Sequence, residues 1–400
     1  MIVLEIIFWV GLCTVFYTYV GYGALLYLLV KLKECFRKPV QYPLPEDAAL
    51  PPVTLFIAAY NEELVVDEKM RNTLALDYPA DKLRVLWVTD GSNDATNQRL
   101  QNWPQATVLH QPERQGKTAA LNRGMTYVET PLVVFTDANT HLNSQAIRHI
   151  VATFADPRVG CVAGEKRIAV QEKENAASGG EGFYWKYEST LKALDTRLYS
   201  AVGAAGELFA VRRELFEPMP VDTLLDDFVL SLRIAMKGFL IAYCAQAYAV
   251  ESGSADMHEE EKRKVRIAAG GLQSVWRLRA LLLRPFRYRW LWFEYVSHRV
   301  LRWSVTPVLL FLLLPLNAAL LVLSDRECSR LYLVLLLLQL LFYAAGMYGR
   351  LLAGKNIKNK VLFIPYYFLF MNLNVIKGFA YLHKRKTSRN GAWEKAKRAN

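Results

Sequence analysis

Acidic residues stand directly after short apolar runs in the first half of the chain. Asp90 and Asp137 each follow such a run, and Glu62 lies shortly after another. Carboxylate oxygens are the ligands that Mg²⁺ and similar hard cations prefer, and a carboxylate can also accept a proton or an N–H hydrogen bond. The pattern therefore predicts a site for a divalent metal and a nucleotide, provided that the fold brings these side chains together.

The apolar runs predict the elements that would position these carboxylates. Short runs without polar alternation are typical of strands buried on both faces of a parallel sheet. The carboxyl ends of such strands meet at one edge, where open α/β sheets bind their ligands. We expect a parallel sheet with crossover helices. The expected strands are 53–58, 84–89, 106–110 and 131–136, and the expected helices are 62–75, 94–102 and 117–128.

The pattern after residue 180 is less regular. A helix is expected up to residue 198, and Asp226 and Asp227 open another that ends near 236. Strands are expected at 207–211 and 239–250. Residues 259–283 then read as a basic amphipathic helix or helix pair, of the kind that lies in the plane of a membrane interface.

Long apolar segments predict that the chain crosses a membrane. Residues 2–30 contain one charge, and residues 305–323 and 331–348 contain none; about 20 mainly apolar residues span the hydrocarbon layer. Basic residues follow the first segment, where a secreted protein would have a cleavage site, so we expect an anchor whose following domain is cytoplasmic. A fourth segment, 361–382, is less apolar, and whether it crosses is left open, with the basic tail slightly favoured inside.

The charge distribution agrees with a membrane protein. The net charge of +12 is more than accounted for by residues 262–302, which carry a balance of +10, and by residues 382–400, which carry +6. Basic residues beside apolar spans usually face anionic lipid headgroups, so we expect membrane lipids and no nucleic acid as partners. The five cysteines have no zinc-site or disulfide spacing, which fits a reducing cytosol.

Four motifs, in this order, resemble those of the membrane-bound family-two glycosyltransferases. They read AAYNEE at 58–63, TDGSND at 89–94, RQGK at 114–117 and DAN at 137–139. The resemblance covers roughly residues 50–300 and extends to the span layout of the branch that makes poly-N-acetylglucosamine and hyaluronan. It implies an α/β fold of the GT-A type, with a Rossmann-like, mostly parallel sheet in a cytoplasmic domain and transmembrane helices at both ends.

The resemblance also implies how a nucleotide diphosphate sugar, expected to be UDP-linked, would bind. Asp90 would accept the imide N–H of a uracil, and Tyr60 and Glu62 would contact base and ribose. Lys117 would lie near the diphosphate, where its charge suits phosphate oxygens. Asp90 could instead cap the next helix, and Lys117 could be a solvated surface residue.

Asp137 and Asn139 are the expected metal ligands. The resembling family usually has Asp-x-Asp here and holds Mg²⁺ or Mn²⁺ on the donor diphosphate. Asn139 could supply a neutral oxygen or leave Asp137 alone in the role, so the departure predicts weaker metal binding. A simple turn aspartate is the alternative for Asp137.

Asp227 is the expected catalytic base. The family has an acidic pair at this place, and its second member removes the proton from the acceptor hydroxyl; here the pair is Asp226 and Asp227. Two carboxylates at a helix start are also ordinary capping residues, and that interpretation is favoured for Asp226.

Three further residues receive roles from the resemblance. Glu207 and Arg263 are expected to line the donor or acceptor cleft. Arg266 would contact the diphosphate, as the arginine of a Gln-x-x-Arg-Trp motif does in the polysaccharide synthases. Ile267 stands where those enzymes have the tryptophan, which puts acceptor handling and processivity in question.

We therefore expect an inverting glycosyltransferase that extends a polysaccharide at the cytoplasmic face. We expect it to be a multi-pass protein of the inner membrane. One alternative is single-sugar transfer to a lipid carrier or membrane lipid, and another is a non-catalytic subunit that binds nucleotide sugar. The acceptor is thus a saccharide or a lipid-linked group. The expected segments are an anchor at 1–31, a linker at 32–52, the GT-A domain at 53–257, basic interfacial helices at 258–303, two or three membrane segments at 304–382 and a basic tail at 383–400.

Overall fold

A computed structural model describes residues 1–169, 176–252, 257–354 and 360–387. Most of the predicted basic tail, from residue 388 onward, therefore lies outside the described residues. The strands are β1 (Val53–Ala59), β2 (Leu83–Asp90), β3 (Ala106–Gln111), β4 (Leu132–Asp137), β5 (His141–Leu142), β6 (Val159–Ile168), β7 (Leu208–Arg212) and β8 (Leu240–Glu251). The helices of the first 300 residues are α1 (Ile2–Phe16), α2 (Tyr22–Phe36), α3 (Val66–Leu74), α4 (Thr96–Leu100), α5 (Lys117–Met125), α6 (Ala146–Thr153), α7 (Ala176–Leu198), α8 (Asp226–Met236), α9 (Met257–Arg277), α10 (Arg279–Leu282) and α11 (Pro285–Tyr295), and they are followed by α12 (Leu301–Trp303), α13 (Val305–Leu323), α14 (Arg326–Gly354) and α15 (Lys360–Thr387).

The eight strands form one mixed sheet in the order β3-β2-β1-β4-β7-β6-β8-β5. The first four strands in that order are parallel, as predicted. Strand β7 runs antiparallel to both β4 and β6, and β6 is parallel to β8. The carboxyl ends of β1, β2 and β4 therefore lie along one side of the sheet, which we call the carboxyl edge. The predicted α/β architecture is confirmed.

The central strands could be predicted because both of their faces are buried. Every residue of β1 is buried. Leu55 and Ile57 join the apolar core on one face together with Trp87, whereas Phe56 packs on the other face near Phe135. A strand enclosed in this way tolerates an unbroken apolar run.

Some elements were not predicted. Strand β6 contains two glycines and, near its end, the three consecutive charged residues 165–167. Glycine and charged residues are uncommon in strands, so the sequence did not indicate one here. Helix α6 and the short strand β5 were missed as well. Helices α3 and α4 are shorter than expected at both ends, where turns replace the helix, and α5 begins at residue 117 as expected but ends three residues early.

Four helical segments are long and apolar enough to cross a membrane. The first, Ile2–Phe36, joins α1 and α2 through a π-helical turn and extends past the predicted anchor into the predicted linker. The others are Val305–Leu323, Ser329–Ala353 and Val361–Lys384, so the fourth apolar segment also qualifies by length and composition.

The polar residues of the fourth segment explain its low apolarity in the sequence. Asn372 and Asn374 are both buried inside the protein, and Asn372 accepts a hydrogen bond from the Tyr19 hydroxyl on the first helix. Polar groups in membrane-spanning helices usually face other helices rather than lipid. These asparagines follow that rule, and Asn372 connects the first and last apolar segments.

Helix α9 forms most of the predicted basic amphipathic region, yet many of its charges are buried. Arg263 and Lys264 are almost inaccessible. The helix also packs closely against α15, since a Cβ on Gly378 would lie 2.9 Å from the Ala268 Cβ. Two exposed aromatic side chains, Trp276 in the last turn of α9 and Phe286 in α11, point outward.

Candidate functional site

The loops after β1 and β2 are hydrogen-bonded to each other. Asn61 has a positive φ of 53°, and its side-chain amide pairs with Asn93 through two hydrogen bonds of 2.7 and 3.0 Å. The backbone N–H of Glu62 donates to Thr96 Oγ1 at 2.8 Å. These two loops, which carry the first two sequence motifs, therefore form one structure at the carboxyl edge.

Asp90 is fully buried where β2 ends. Its Oδ2 accepts hydrogen bonds from the backbone N–H groups of Gln115 and Gly116 at 3.0 and 2.6 Å. Its Oδ1 lies 3.6 Å from a guanidinium nitrogen of Arg123 and has no hydrogen-bond partner among the described residues. Asp90 thus holds the loop before α5 in place and keeps one oxygen available as an acceptor.

Tyr60 lies beside this loop, and the guanidinium of Arg114 stacks on its ring at 3.7 Å from the centroid. The Nε and Nη2 atoms of Arg114 are buried without a hydrogen-bond partner in the described part of the chain. Gly91, with a φ of +69°, allows the approach, because a Cβ there would lie 2.7 Å from the Arg114 Cβ. The sequence interpretation did not assign a role to Arg114.

Lys117 begins α5 and lies among three carboxylates. Its Nζ donates to Asp137 Oδ1 at 2.8 Å. Burial on its own would lower the pKa of Lys117, but Asp137, Asp226 and Asp227 together raise that pKa above its ordinary value. Lys117 therefore stays a cation at any physiological pH.

Asp227 lies in the first turn of α8, and its carboxylate faces the Lys117 ammonium group. A Cβ on Gly206 would lie 3.4 Å from both Asp227 Oδ2 and Lys117 Nζ, so the two side chains meet over this glycine. Asp227 Oδ1 accepts the N–H of Phe228 at 2.8 Å. Burial, and then the charge of Asp226, raise the pKa of Asp227 to about 7, although Lys117 opposes the change. A carboxylate with such a pKa suits proton transfer near neutral pH.

Glu207 follows Gly206 and belongs to a buried ion-pair cluster. Lys166 Nζ lies 2.6 Å from Glu207 Oε1 and also contacts Glu251, and Arg263 Nη2 lies 3.4 and 3.3 Å from the same two carboxylates. Burial disfavours the charged form of Glu207, but Lys166 and Arg263 hold its pKa well below the ordinary value. Glu207 and Arg263 are thus bonded to each other behind the point where Asp227 and Lys117 meet.

The whole arrangement lies within one family match. A family model described as "Glycosyltransferase like family 2" matches residues 51–270, which is more than half of the chain. The chain belongs to this family. The resemblance drawn from the four motifs is therefore confirmed.

Relatives with named activities are similar over the same region. The beta-monoglucosyldiacylglycerol synthase of Synechocystis sp. is 29% identical over 236 residues, which are 56% of this chain and 48% of that protein. The poly-beta-1,6-N-acetyl-D-glucosamine synthase of Staphylococcus aureus is 26% identical over 246 residues, which are 58% and 56%. The chain spans about half the length of the curated relatives it matches.

A solved structure shares the fold of nearly the entire chain. The mannosyltransferase PcManGT from Pyrobaculum calidifontis, solved in complex with GDP-Man and Mn²⁺, superposes with a TM-score of 0.71. The match covers 96% of this chain and 99% of that one at 23% sequence identity. At this identity the likeness establishes the fold.

Within this family 2 domain, the residues at the end of β4 fit a divalent cation. The Asp137 side chain is 29% exposed, and its Oδ2 has no partner among the described residues. The half-buried Asn139 amide likewise has no described hydrogen bond. No cluster of three or more His, Cys, Asp or Glu side chains with metal-binding geometry occurs in the described ranges. Since Mg²⁺ often takes one or two carboxylates and completes its shell with phosphate and water, Asp137 with Asn139 is a sufficient protein contribution.

Arg266 lies one turn after Arg263 on α9 and is half-buried. Lys69 of α3, which the sequence interpretation missed, is 1% exposed beneath the turn that follows Asp137. The sequence signals this residue only weakly. Lys69 is a charged residue on the same helix face as Val66 and Met70, where an amphipathic helix is expected to be apolar.

The ion-pair cluster behind the site generates a stability prediction. Lys166→Met removes one of the cations that neutralise Glu207 and Glu251, and breaking a buried pair usually costs about 3–5 kcal/mol. We expect a loss of that size in the free energy of unfolding in detergent, partly recovered by adding Glu251→Gln. The control is Arg167→Met, which removes an exposed cation stacked on Tyr248 and should cost at most about 1 kcal/mol. Equal losses in the two single variants would contradict the prediction.

Proposed function

We propose that this protein is a membrane-anchored, inverting glycosyltransferase that moves a sugar from a nucleotide diphosphate sugar to an acceptor hydroxyl. The observation that carries the proposal is that Lys117, which donates a hydrogen bond to Asp137, also lies beside Asp227 at Gly206. This arrangement combines a metal-binding carboxylate, a cation for phosphate and a carboxylate of raised pKa. Together with the family membership it supports sugar transfer over mere nucleotide binding.

The donor is proposed to be UDP-linked and to bind across the loops after β1 and β2. The Oδ1 of Asp90, which accepts no hydrogen bond among the described residues, supports a role as acceptor for the N–H of a base. Tyr60, whose ring carries the Arg114 guanidinium on one face, would contact the base, and Glu62 would contact the ribose. Because PcManGT was solved with GDP-Man, guanine nucleotides belong among the donors to be tested.

The diphosphate is proposed to lie between Lys117, Arg266 and the end of β4. Asp137, with or without Asn139, would hold Mg²⁺ or Mn²⁺; the Mn²⁺ in PcManGT supports a metal of this class. The bound ion would supply Lewis-acid stabilisation of the leaving diphosphate. Lys117 contributes a fixed positive charge to the same oxygens without any proton transfer.

Asp227 is proposed as the base. Its carboxylate would take the proton of the acceptor hydroxyl while that oxygen attacks the anomeric carbon from the side opposite the diphosphate, which inverts the configuration. Holding donor and acceptor in line would supply much of the rate acceleration. Glu207 and Arg263, which pair with each other, would shape the floor of this cleft rather than react.

The reaction is proposed to take place at the cytoplasmic face of the inner membrane of the cell. The four apolar helical segments support a multi-pass protein. Trp276 and Phe286 are exposed and lie close in sequence to five arginines between residues 277 and 289. This combination supports contact with lipid headgroups.

A growing polysaccharide is the first candidate acceptor. Trp303 supports it, because this half-buried indole lies edge-on to Phe228 with ring centroids 4.9 Å apart, next to the proposed base. The indole also covers α9, since a Cβ on Gly271 would lie 2.5 Å from its Cδ2. An aromatic surface beside Asp227 could contact a sugar ring, a contact that Ile267 cannot make.

A lipid-linked acceptor is the second candidate. The matched beta-monoglucosyldiacylglycerol synthases are named for a product on a membrane lipid. The described spans are few for a channel that would pass a polymer, which also favours a lipid.

A donor panel tests the proposal as a whole. The detergent-solubilised protein is incubated with radiolabelled UDP- and GDP-sugars in the presence of Mg²⁺, Mn²⁺ or EDTA. We expect transfer or hydrolysis of a UDP-sugar that EDTA abolishes and that Asp227→Asn lowers about 10²–10⁴-fold, the usual contribution of a general base. Asp81→Asn, at an exposed carboxylate, is the control and should be fully active. Turnover that Asp227→Asn leaves unchanged would refute the assignment of the base, and no turnover with any donor would favour a non-catalytic subunit.

The pH dependence of kcat/KM tests the role of Asp227 separately. The base must be deprotonated, so kcat/KM should rise with pH along a limb centred near 7, the raised pKa of this carboxyl group. Asp226→Asn removes a negative charge that helps to raise that pKa, so the limb should move to lower pH. A limb that stays in place in Asp226→Asn would show that another group controls the rate.

The length of the product separates the two acceptors. Purified enzyme in lipid vesicles should give a ladder of saccharides if it extends a polymer, and a single added sugar if it modifies a lipid. If Trp303 contacts the acceptor, Trp303→Ala should shorten the ladder, and Trp303→Phe should retain most of it. Ladders of equal length in all three proteins would exclude that contact.

A further inference from the structure

Lys69 has an unusual environment for a lysine. It lies on α3 beneath the turn that follows β4 and is 1% exposed. Its Nζ donates to Thr136 Oγ1 at 3.1 Å, to the Thr140 carbonyl oxygen at 2.7 Å and to Thr140 Oγ1 at 3.2 Å. These three acceptors match the three hydrogens of an ammonium group, so every donor has a partner.

The buried charge has no direct counter-ion in the described residues. The other deeply buried lysine near the site, Lys166, forms ion pairs with two glutamates, whereas Lys69 has hydroxyl and carbonyl partners only. Burial lowers the pKa of Lys69 to about 7, and Asp137 opposes that change from a distance. Burying a cation without a paired carboxylate is energetically unfavourable. An apolar side chain would fill the same space without that penalty, so a role in the site is the better explanation.

Lys69 holds two threonine hydroxyls that also contact the backbone on two sides of the site. The two hydroxyl oxygens lie 2.9 Å from each other, so each has more than one acceptor within reach of its single hydrogen. Thr140 Oγ1 donates to the Asp137 carbonyl oxygen at 2.9 Å, which closes the turn that carries Asp137 and Asn139. Thr136 Oγ1 donates to the Glu207 carbonyl oxygen at 3.0 Å, which ties the end of β4 to the segment before β7.

These contacts connect the two halves of the proposed reaction. On one side, the Asp137 turn would hold the metal and the donor diphosphate. On the other side, Glu207 follows Gly206, the residue over which Asp227 and Lys117 meet. One buried ammonium group therefore lies below both the donor side and the base side.

We propose that Lys69 is a positioning residue for sugar transfer: through Thr136 and Thr140 it fixes the Asp137–Asn139 turn relative to the Gly206–Glu207 segment. The inference rests on the proposed glycosyltransferase function. It predicts that loss of Lys69 loosens two segments that are distant in sequence but adjacent in the site. A lysine with a purely structural role would affect the global stability without affecting these two segments selectively.

The test compares Lys69→Met with Arg71→Met in the full-length protein in detergent. Both changes remove one positive charge from α3, but Arg71 is exposed. Thr136→Val is the second variant, in case Lys69→Met does not fold. Hydrogen–deuterium exchange of the ligand-free protein is followed in peptides that cover 136–142 and 204–210, and kcat and KM for the donor are measured on folded protein.

We expect faster exchange in both peptides of Lys69→Met, and in the second peptide of Thr136→Val, with no change elsewhere in the sheet. Loss of a group that orients metal ligands usually lowers activity about 10–100-fold, so kcat/KM should fall by that factor in Lys69→Met. It should stay within about twofold of wild type in Arg71→Met. The double variant Lys69→Met/Thr136→Val should lose less than the product of the two single losses, because both act through the same hydrogen bonds.

Two outcomes would overturn the inference. One is unchanged exchange in both peptides of a folded Lys69→Met protein. The other is a loss of activity that tracks only the unfolded fraction. The exchange measurement needs no donor, so it decides the inference even if wild-type protein transfers no sugar, which would instead contradict the proposed function.

Discussion

The carboxyl edge of this sheet can exist only because cations lie among the carboxylates that the fold brings together. Asp137, Asp226 and Asp227 surround the ammonium of Lys117, whose pKa they raise. Without that cation, neighbouring carboxylates would repel each other and take up protons. Burial, and then the charge of Asp226, raise the pKa of Asp227 to about 7 in spite of Lys117. A carboxylate kept in this partly compensated state can accept a proton that a fully paired aspartate could not.

Strand direction explains why residues so far apart in sequence share this edge. Strands β1, β2 and β4 are parallel, so their carboxyl ends carry the first motifs to one side. Strand β7 is antiparallel to β4, with Thr136 opposite Leu208, so it is the amino end of β7 that arrives there. Gly206 and Glu207 precede that end and therefore lie beside Asp137. A fully parallel sheet would have placed them at the opposite edge, away from the donor.

The sequence predicts most strands and helices of the domain, but it misses the region 141–168 that holds β5, α6 and β6. Strands β1, β2 and β4 are buried on both faces, so their apolar runs alone locate them to within about two residues. Strand β7 was also located, but its antiparallel pairing between β4 and β6 has no signal in the sequence, because pairing partners depend on contacts between distant segments. Lys69 illustrates the same limit for the site: its own neighbours in sequence show only a misplaced charge, whereas its partners come from the turn after β4. The motif residues near Lys117 were identifiable through resemblance, but the amide partners of Asp90 were not.

Helix α9 connects the membrane helices to the proposed base through a run of small residues at 268–271. A Cβ on Gly270 would lie 2.6 Å from Leu225, next to the acidic pair, and Gly271 is equally close to Trp303. On its other side, Ala268 meets Gly378 of α15. Three elements therefore approach one helix to backbone distance, which larger side chains would prevent. Helix α9 thus contacts both α15, a candidate membrane-spanning helix, and the residue that precedes α8. The proposed base therefore lies about one helix away from an apolar segment, and the small side chains of residues 268–271 keep that separation short.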